Sequence, residues 1–266
     1  EIHPAILYTA NLCGVTKIIK VGGIQAIAGF TFGTETIPQV YKIFGPGNQF
    51  VTVAKQLATK HGVAIDMPAG PSELLIVADD SANASYVASD LLSQAEHGAD
   101  SQVILVSTSK ELINEVAIEI EKQILDLPRL GIAQKAITNS KSIFVENDKI
   151  ALDLINEYGP EHFIVCTNNN NFYIDNIENV GSVFIGNYTP ESAGDYASGT
   201  NHTLPTNGFS KSYSGVNLDS FTKAITFQEI SKEGIQNIGR SIEIMAATEG
   251  LQAHKNAVTL RLNDLK

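Results

Sequence analysis

Along this chain, short apolar runs alternate with stretches whose apolar residues recur every three or four positions. Runs of the first kind predict strands at residues 17–21, 40–44, 63–65, 74–78, 103–107, 142–145, 163–166 and 182–185. The second kind predicts helices at 4–12, 22–28, 49–60, 110–127, 149–158 and 233 to about 258. A further helix carries its buried face on Ala84, Val87, Ala88, Leu91, Leu92 and Ala95. Asp80 or Ser81 is its expected cap, and Gly98 ends it. Strand and helix in alternation indicate α/β architecture with a parallel sheet. Past residue 217 the strands stop, which marks a candidate small helical domain.

One stretch breaks the pattern. Residues 186–206, GNYTPESAGDYASGTNHTLPT, hold almost no large apolar side chains and cannot build core. They predict a long ordered loop after the strand at 182–185, and such loops usually carry function. Glu191, Asp195 and His202 offer oxygen and nitrogen ligands, or acid–base groups, from that loop.

Composition narrows the classes. With 43% hydrophobic and 18% charged residues, the chain is ordinary globular protein. Its net charge of -11, from 29 acids against 18 Lys and Arg, argues against a nucleic-acid surface. No apolar run approaches the roughly 20 residues that span a bilayer, so no membrane partner is expected. Cys13 and Cys166 lie far apart and form neither a disulfide framework nor a Cys-based zinc pattern, which suits a reducing cytoplasm.

Four further constellations carry candidate chemistry. Gly45-Pro46-Gly47-Asn48 joins a predicted strand to a helix, where backbone amides can approach a phosphate; a plain tight turn fits equally well. Gln94 and His97 lie three apart near a helix end and face one way. Imidazole suits zinc, Gln is an unusual ligand, and an ordinary polar helix end is the simpler reading of the pair alone. Gly159-Pro160-Glu161-His162 sets an acid beside an imidazole at a strand mouth, placed either for acid–base work or as a surface turn. Glu249 and His254 are five apart and share no helical face unless the helix breaks at Gly250. His3 and His61 stand without polar company and are expected to be structural or surface residues.

Taken together, these motifs resemble the histidinol dehydrogenase family. The matching segments are GPGNQFVTVAK, DMPAGPSELLIVAD, LLSQAEHGADSQ, YGPEHF, FIGNYTPESAGDYASGTNHTLPT and TEGLQAH, in the family's order over nearly the whole chain. The resemblance implies oxidation of L-histidinol to L-histidine with two NAD molecules in turn, through the aldehyde level. It implies one zinc per chain, held by Gln94, His97, Asp195 and His254 and anchoring the substrate. Glu161 and His162 are then the catalytic pair. His162 takes the alcohol proton, and Glu161 activates water for attack on the aldehyde. Ser72, Gln94, His97, His162, Glu191, Asp195, His202, Glu249 and His254 match substrate-side positions. Gln25 and Asn48 match NAD-contacting positions.

The resemblance also sets the expected organisation. It implies two incomplete Rossmann-like parallel-sheet domains, residues 1–73 on the NAD side and 74–216 on the zinc and substrate side. A helical tail domain at 217–266 follows, serving the partner's site in a homodimer. Family members carry a substantial region before the point where this chain starts, so the expectation is that an N-terminal part is missing. Two other readings stay open here: a zinc hydrolase using Glu161 and water, and a catalytically inactive fragment.

Overall fold

The computed structural model of the chain describes residues 2–265; Glu1 and Lys266, the outer bounds of the expected domains, lie outside the described residues. Contacts divide the chain into two units, Glu1–Phe221 and Thr222–Lys266. No helix among the described residues is long and apolar enough to cross a membrane.

The first unit begins with helices α1 (Pro4–Leu12) and α2 (Gly23–Phe32), then β1 (Lys42–Ile43), α3 (Gln49–Thr59) and β2 (Ala64–Ile65). Strands β1 and β2 form a two-stranded parallel sheet. Its small core is Ile27, Ile43, Ala58 and Val63. The run at 17–21 forms no strand; it has β-forming residues but pairs with no neighbour among the described residues, and β-propensity without a ladder fixes nothing.

The larger sheet follows. Its strands are β3 (Glu73–Ala78), β4 (Gln102–Ser107), β5 (Lys141–Phe144), β6 (His162–Cys166) and β7 (Ser182–Ile185). They are parallel throughout, in the order β5-β4-β3-β6-β7. All six residues of β3 are buried, as a central strand covered on both faces requires. One face packs Leu74, Ile76, Leu105 and Ile164 against α4 (Ala84–Ala95), α5 (Lys110–Gln123) and α6 (Leu130–Asn139). The other face packs Leu75, Val77, Phe163 and Val165 against α7 (Asp148–Tyr158) and α8 (Asn170–Asn176).

Local chemistry corrects several expectations. Asn83, not Asp80 or Ser81, caps α4; its side chain accepts from the amides of Ser85 and Tyr86. Asp79 instead holds the turn before it, accepting from the Ser81 and Asn168 amides at 3.0 and 2.7 Å. The predicted helix at 110–127 closes in a 3-10 turn, Ile124–Asp126, and α6 follows it unannounced. Helix α8 (Asn170–Asn176), which the periodicity does not announce, is anchored in the core by Tyr173. The expected loop at 186–206 contains a short helix, α9 (Glu191–Tyr196).

The second unit holds α10 (Lys232–Thr248) and α11 (Gln252–Asn263). The single helix expected from 233 breaks at Gly250, whose φ of 74° turns the chain. The two helices pack closely at Gly239, where an added Cβ would meet Leu262 at 2.9 Å.

Candidate active site

The cavity that matters lies at the amino edge of the large sheet, at the mouths of β3 and β6. Leu74 pairs with His162 across these strands, so the residues just before them, Glu73 and Glu161, sit side by side at the edge. Helix α4 runs back from the carboxyl edge and delivers Gln94 and His97 to the same place. Helix α9 delivers Glu191 and Asp195. The result is a cavity of about 220 Å³. It is lined by Ser72, Gln94, His97, Glu161, His162, Glu191, Asp195 and His202 among others. Eight of the expected site residues, spread over 131 positions of sequence, therefore meet at one place.

Two glycines permit this assembly. Gly181 lies so close to the Glu161 carbonyl that a Cβ would sit 2.4 Å from its oxygen. The close approach lets the amides of Gly181 and Ser182 bind Pro160 O and Glu161 O at 2.9 and 3.0 Å. Gly194 of α9 presses against Phe184, where a Cβ would fall 2.7 Å from the ring. Any larger residue at either position pushes a site element away.

The peptide of Glu73 orients the Glu161–His162 pair. Its N–H donates to Glu161 Oε2 at 2.9 Å, and its carbonyl accepts from His162 Nδ1 at 3.1 Å. Nδ1 therefore carries a proton, and it is Nε2 that presents the lone pair whenever the ring is neutral. That Nε2 is buried and has no hydrogen-bond partner. Acids crowd the ring: Glu161 Oε2 lies 3.5 Å and Glu191 Oε1 4.0 Å from Nδ1, and Asp195 Oδ1 lies 3.9 Å from Nε2. Burial alone pulls the His162 pKa down, but the bond to Glu161 and the charges of Glu191 and Glu161 outweigh it and lift it to about 9. Burial lifts Glu191 to about 8, with His162 opposing and Asp195, Glu161 and Asp90 adding to the rise. Glu73 rises to about 7, again chiefly by burial.

The donor set fits a zinc ion. With its amide nitrogen turned to Glu191, Gln94 donates to both carboxylate oxygens, at 3.1 Å to Oε2. Its oxygen then lies 3.3 Å from His97 Nδ1, on the same cavity as Asp195. Nitrogen and oxygen donors of this kind suit zinc, and a dication relieves so dense a group of carboxylates. Among the described residues, His162, Glu191 and Asp195 also bring ligand atoms within 4.8 Å of one another, so Asp195 is common to both groupings. The fourth expected zinc ligand, His254, lies on α11 in the second unit, and Glu249, expected as a substrate contact, caps α10 there; both are exposed.

The expected NAD-side residues lie in the first part of the chain. Gln25 is exposed on α2. Asn48 caps α3, with Oδ1 accepting from the amides of Phe50 and Val51 at 3.1 and 3.2 Å. These amides and the Gly45 amide, which donates to Asp66 Oδ2 at 2.7 Å, already have protein partners. The turn is braced from below: Lys55 Nζ, 1% exposed with its residue, contacts Asp66 Oδ1 at 2.5 Å and donates to Gly45 O at 2.7 Å. Residues 45–48 thus form a rigid turn over a buried ion pair. A Cβ at Gly45 would meet nothing within 4 Å, so the turn is open on that side.

Sequence reasoning passed over Glu73, Lys55 and Asp66. A signal existed for two of them. Glu73 is a charge directly abutting an unbroken apolar strand, and Lys55 interrupts the apolar face of α3 between Val51 and Ala58. His3 caps α1 through Nδ1, and His61 packs edge-on against Phe32, both away from this cavity.

A family model described as "Histidinol dehydrogenase" matches residues 1–262. The histidinol dehydrogenases of Bacteroides fragilis and Bacteroides thetaiotaomicron are 60% and 62% identical to the whole chain. The chain spans 62% of the length of each. A crystal structure of histidinol dehydrogenase from Elizabethkingia anophelis superposes with a TM-score of 0.96 at 58% identity, covering 98% of this chain and 60% of that one.

Proposed function

Because the chain belongs to the histidinol dehydrogenase family, we propose that it carries the active site for oxidation of L-histidinol to L-histidine, the last steps of histidine biosynthesis. NAD would supply the hydride acceptor, once for each of two oxidations, and zinc, one per chain, would help hold the substrate. The observation that carries the reading is the convergence of Gln94, His97, Asp195, Glu161 and His162 on one cavity.

The residues divide the work as follows. His162 Nε2 receives the alcohol proton as hydride leaves the adjacent carbon, giving the aldehyde. The fixed Nδ1–H···O=C bond to Glu73 keeps Nε2 basic and aimed inward. A cationic substrate group entering among Glu161, Glu191 and Asp195 opposes the imidazolium, returning His162 to its basic form as the alcohol arrives. In the second oxidation Glu161 takes a proton from water, whose oxygen bonds to the aldehyde carbon. The hydrate then loses hydride and becomes the carboxylate. Gln94, His97 and Asp195 would hold the zinc, with His254 as the fourth ligand. Ser72, Glu191, His202 and Glu249 bind substrate.

The same reading divides the chain into an NAD-side part at 1–73, contacting the cofactor through Gln25 and Asn48, a substrate part at 74–216, and a tail at 217–266. It takes the protein to be a homodimer, with Glu249 and His254 of each tail serving the site of the second copy. The setting is the cytoplasm, in keeping with free thiols at Cys13 and Cys166. The test is histidinol-dependent NADH formation by the protein made from its full reading frame. Turnover that chelation abolishes and zinc restores supports the reading; zinc-independent turnover, or none, overturns it.

A further inference from the structure

We propose that the side chain of Glu73 is a positioning residue: it ties the strap at residues 201–208 to the catalytic pair, so that cavity wall and acid–base groups are set together. The proposal rests on the dehydrogenase reading above. Glu73 serves three partners. Its N–H holds Glu161 and its carbonyl holds His162. Its carboxylate reaches the other way, where Oε1 accepts from the Asn207 amide at 3.0 Å.

The third bond is the informative one. His202, Thr203, Leu204 and Thr206 of the strap all line the cavity, and Asn207 follows directly. Asn207 is the non-glycine residue with positive φ, 54°, among those described. Asn tolerates this left-handed conformation better than other non-glycine residues, and the Glu73 carboxylate, accepting from its amide, is one contact that fixes it. Thr206 Oγ1, accepting from the Gly70 amide, is another.

A carboxylate is a costly choice for this task if tethering is all that is needed. Glu73 is 6% exposed, and its Oε2 is buried with no well-aligned hydrogen bond among the described residues. The hydroxyl of Tyr158 donates to Gln102 at 2.6 Å instead. An unpaired buried oxygen destabilises a fold. The group stands where strap and catalytic pair meet, which points to a role in the site.

The experiment compares Glu73→Gln and Glu73→Ala in the protein from its full reading frame. Gln keeps an oxygen for the Asn207 amide, and Ala does not; the Glu73 backbone bonds remain in both. In Glu73→Ala, amide exchange at Asn207 rises at least about tenfold, the KM for histidinol rises, and kcat falls about tenfold or more, from loss of one buried bond. Glu73→Gln restores the exchange protection and most of the KM. A merely structural role lowers the melting temperature of both variants without that split. Unchanged exchange in Glu73→Ala overturns the proposal, as does faster exchange with unchanged KM and kcat, or a Gln variant as impaired as Ala. Absence of histidinol turnover in the unsubstituted protein sinks the dehydrogenase reading instead. The exchange comparison, with histidinol affinity measured by calorimetry in place of KM, still decides the tie.

Discussion

Two parts of the Glu1–Phe221 unit use the same strand–helix alternation and reach opposite results. In the five-stranded sheet, Leu74, Leu75, Ile76, Ala88, Ala151 and Phe163 are fully shielded, and helices cover both faces. Around the two-stranded sheet, Phe32, Tyr41 and Phe50 lie 61–95% exposed, and α1, earlier in the chain, has no buried residue. Apolar periodicity states which face a helix offers; burial depends on what meets that face. The chemistry follows the same division. Acid–base groups sit at the mouths of deeply buried strands, while the expected NAD contacts, Gln25 and Asn48, sit on the thinly packed part. Stiffness there comes from a small core and one buried ion pair.

The sharpest break in this comparison is local stability. Amides of β3 and β6 should exchange only through global opening, those of α1 through fraying. With global stabilities of about 5–15 kcal/mol, the expected gap is at least about a thousandfold in exchange rate. Comparable protection in both parts, measured by exchange and mass spectrometry, contradicts the contrast.

Next in size is the ion pair. Lys55→Met leaves Asp66 charged and buried, at a cost of about 3–5 kcal/mol in chemical denaturation. Removing both charges in Lys55→Met with Asp66→Leu should recover most of that loss. A core truncation such as Leu75→Ala costs a similar ~2–5 kcal/mol, but in the large sheet. If Lys55→Met is neutral, the turn at 45–48 is not braced as described.

How much was legible in the sequence follows the same physics. The large sheet was readable because unbroken apolar runs such as 74–78 admit few alternatives. Helix α9 was not, since its buried face is a carboxyl and a glycine, Glu191 and Gly194, and carries no apolar period. Residues 17–21 had strand composition but no partner to pair with among the described residues. Candidate chemistry at Glu161, His162, Gln94 and His97 was visible as residue types, but their convergence depends on α4 returning to the amino edge, which no local pattern announces. That location is itself unusual, because open α/β sheets commonly place ligands outside the carboxyl ends of their strands.

Within the site, His162→Asn should impair alcohol oxidation by about 10²–10⁴-fold, with aldehyde oxidation less affected. Glu161→Gln should show the reverse. Steady-state assays with each substrate decide it, and equal losses on both refute the division of labour.

The smallest effect concerns Asp90, one turn before Gln94 on α4, whose carboxyl burial raises to about 7. A raised folded pKa means the folded state binds the proton more tightly. Asp90 therefore favours folding below about pH 4, and that contribution is lost as pH rises to about 7. Asp90→Asn should flatten this part of the stability–pH curve, read by thermal melts; an unchanged curve excludes Asp90 as its source.

The central claim is that the amino-edge cavity of the large sheet is where histidinol is oxidised. A crystal structure of the full-reading-frame protein with histidinol bound tests it most directly. The account predicts ligand density in the cavity, its imidazole end toward Gln94, His97 and Asp195, and its hydroxyl within hydrogen-bond reach of His162 Nε2. Histidinol bound at the carboxyl edge of the sheet, or with its hydroxyl turned away from His162, would contradict it.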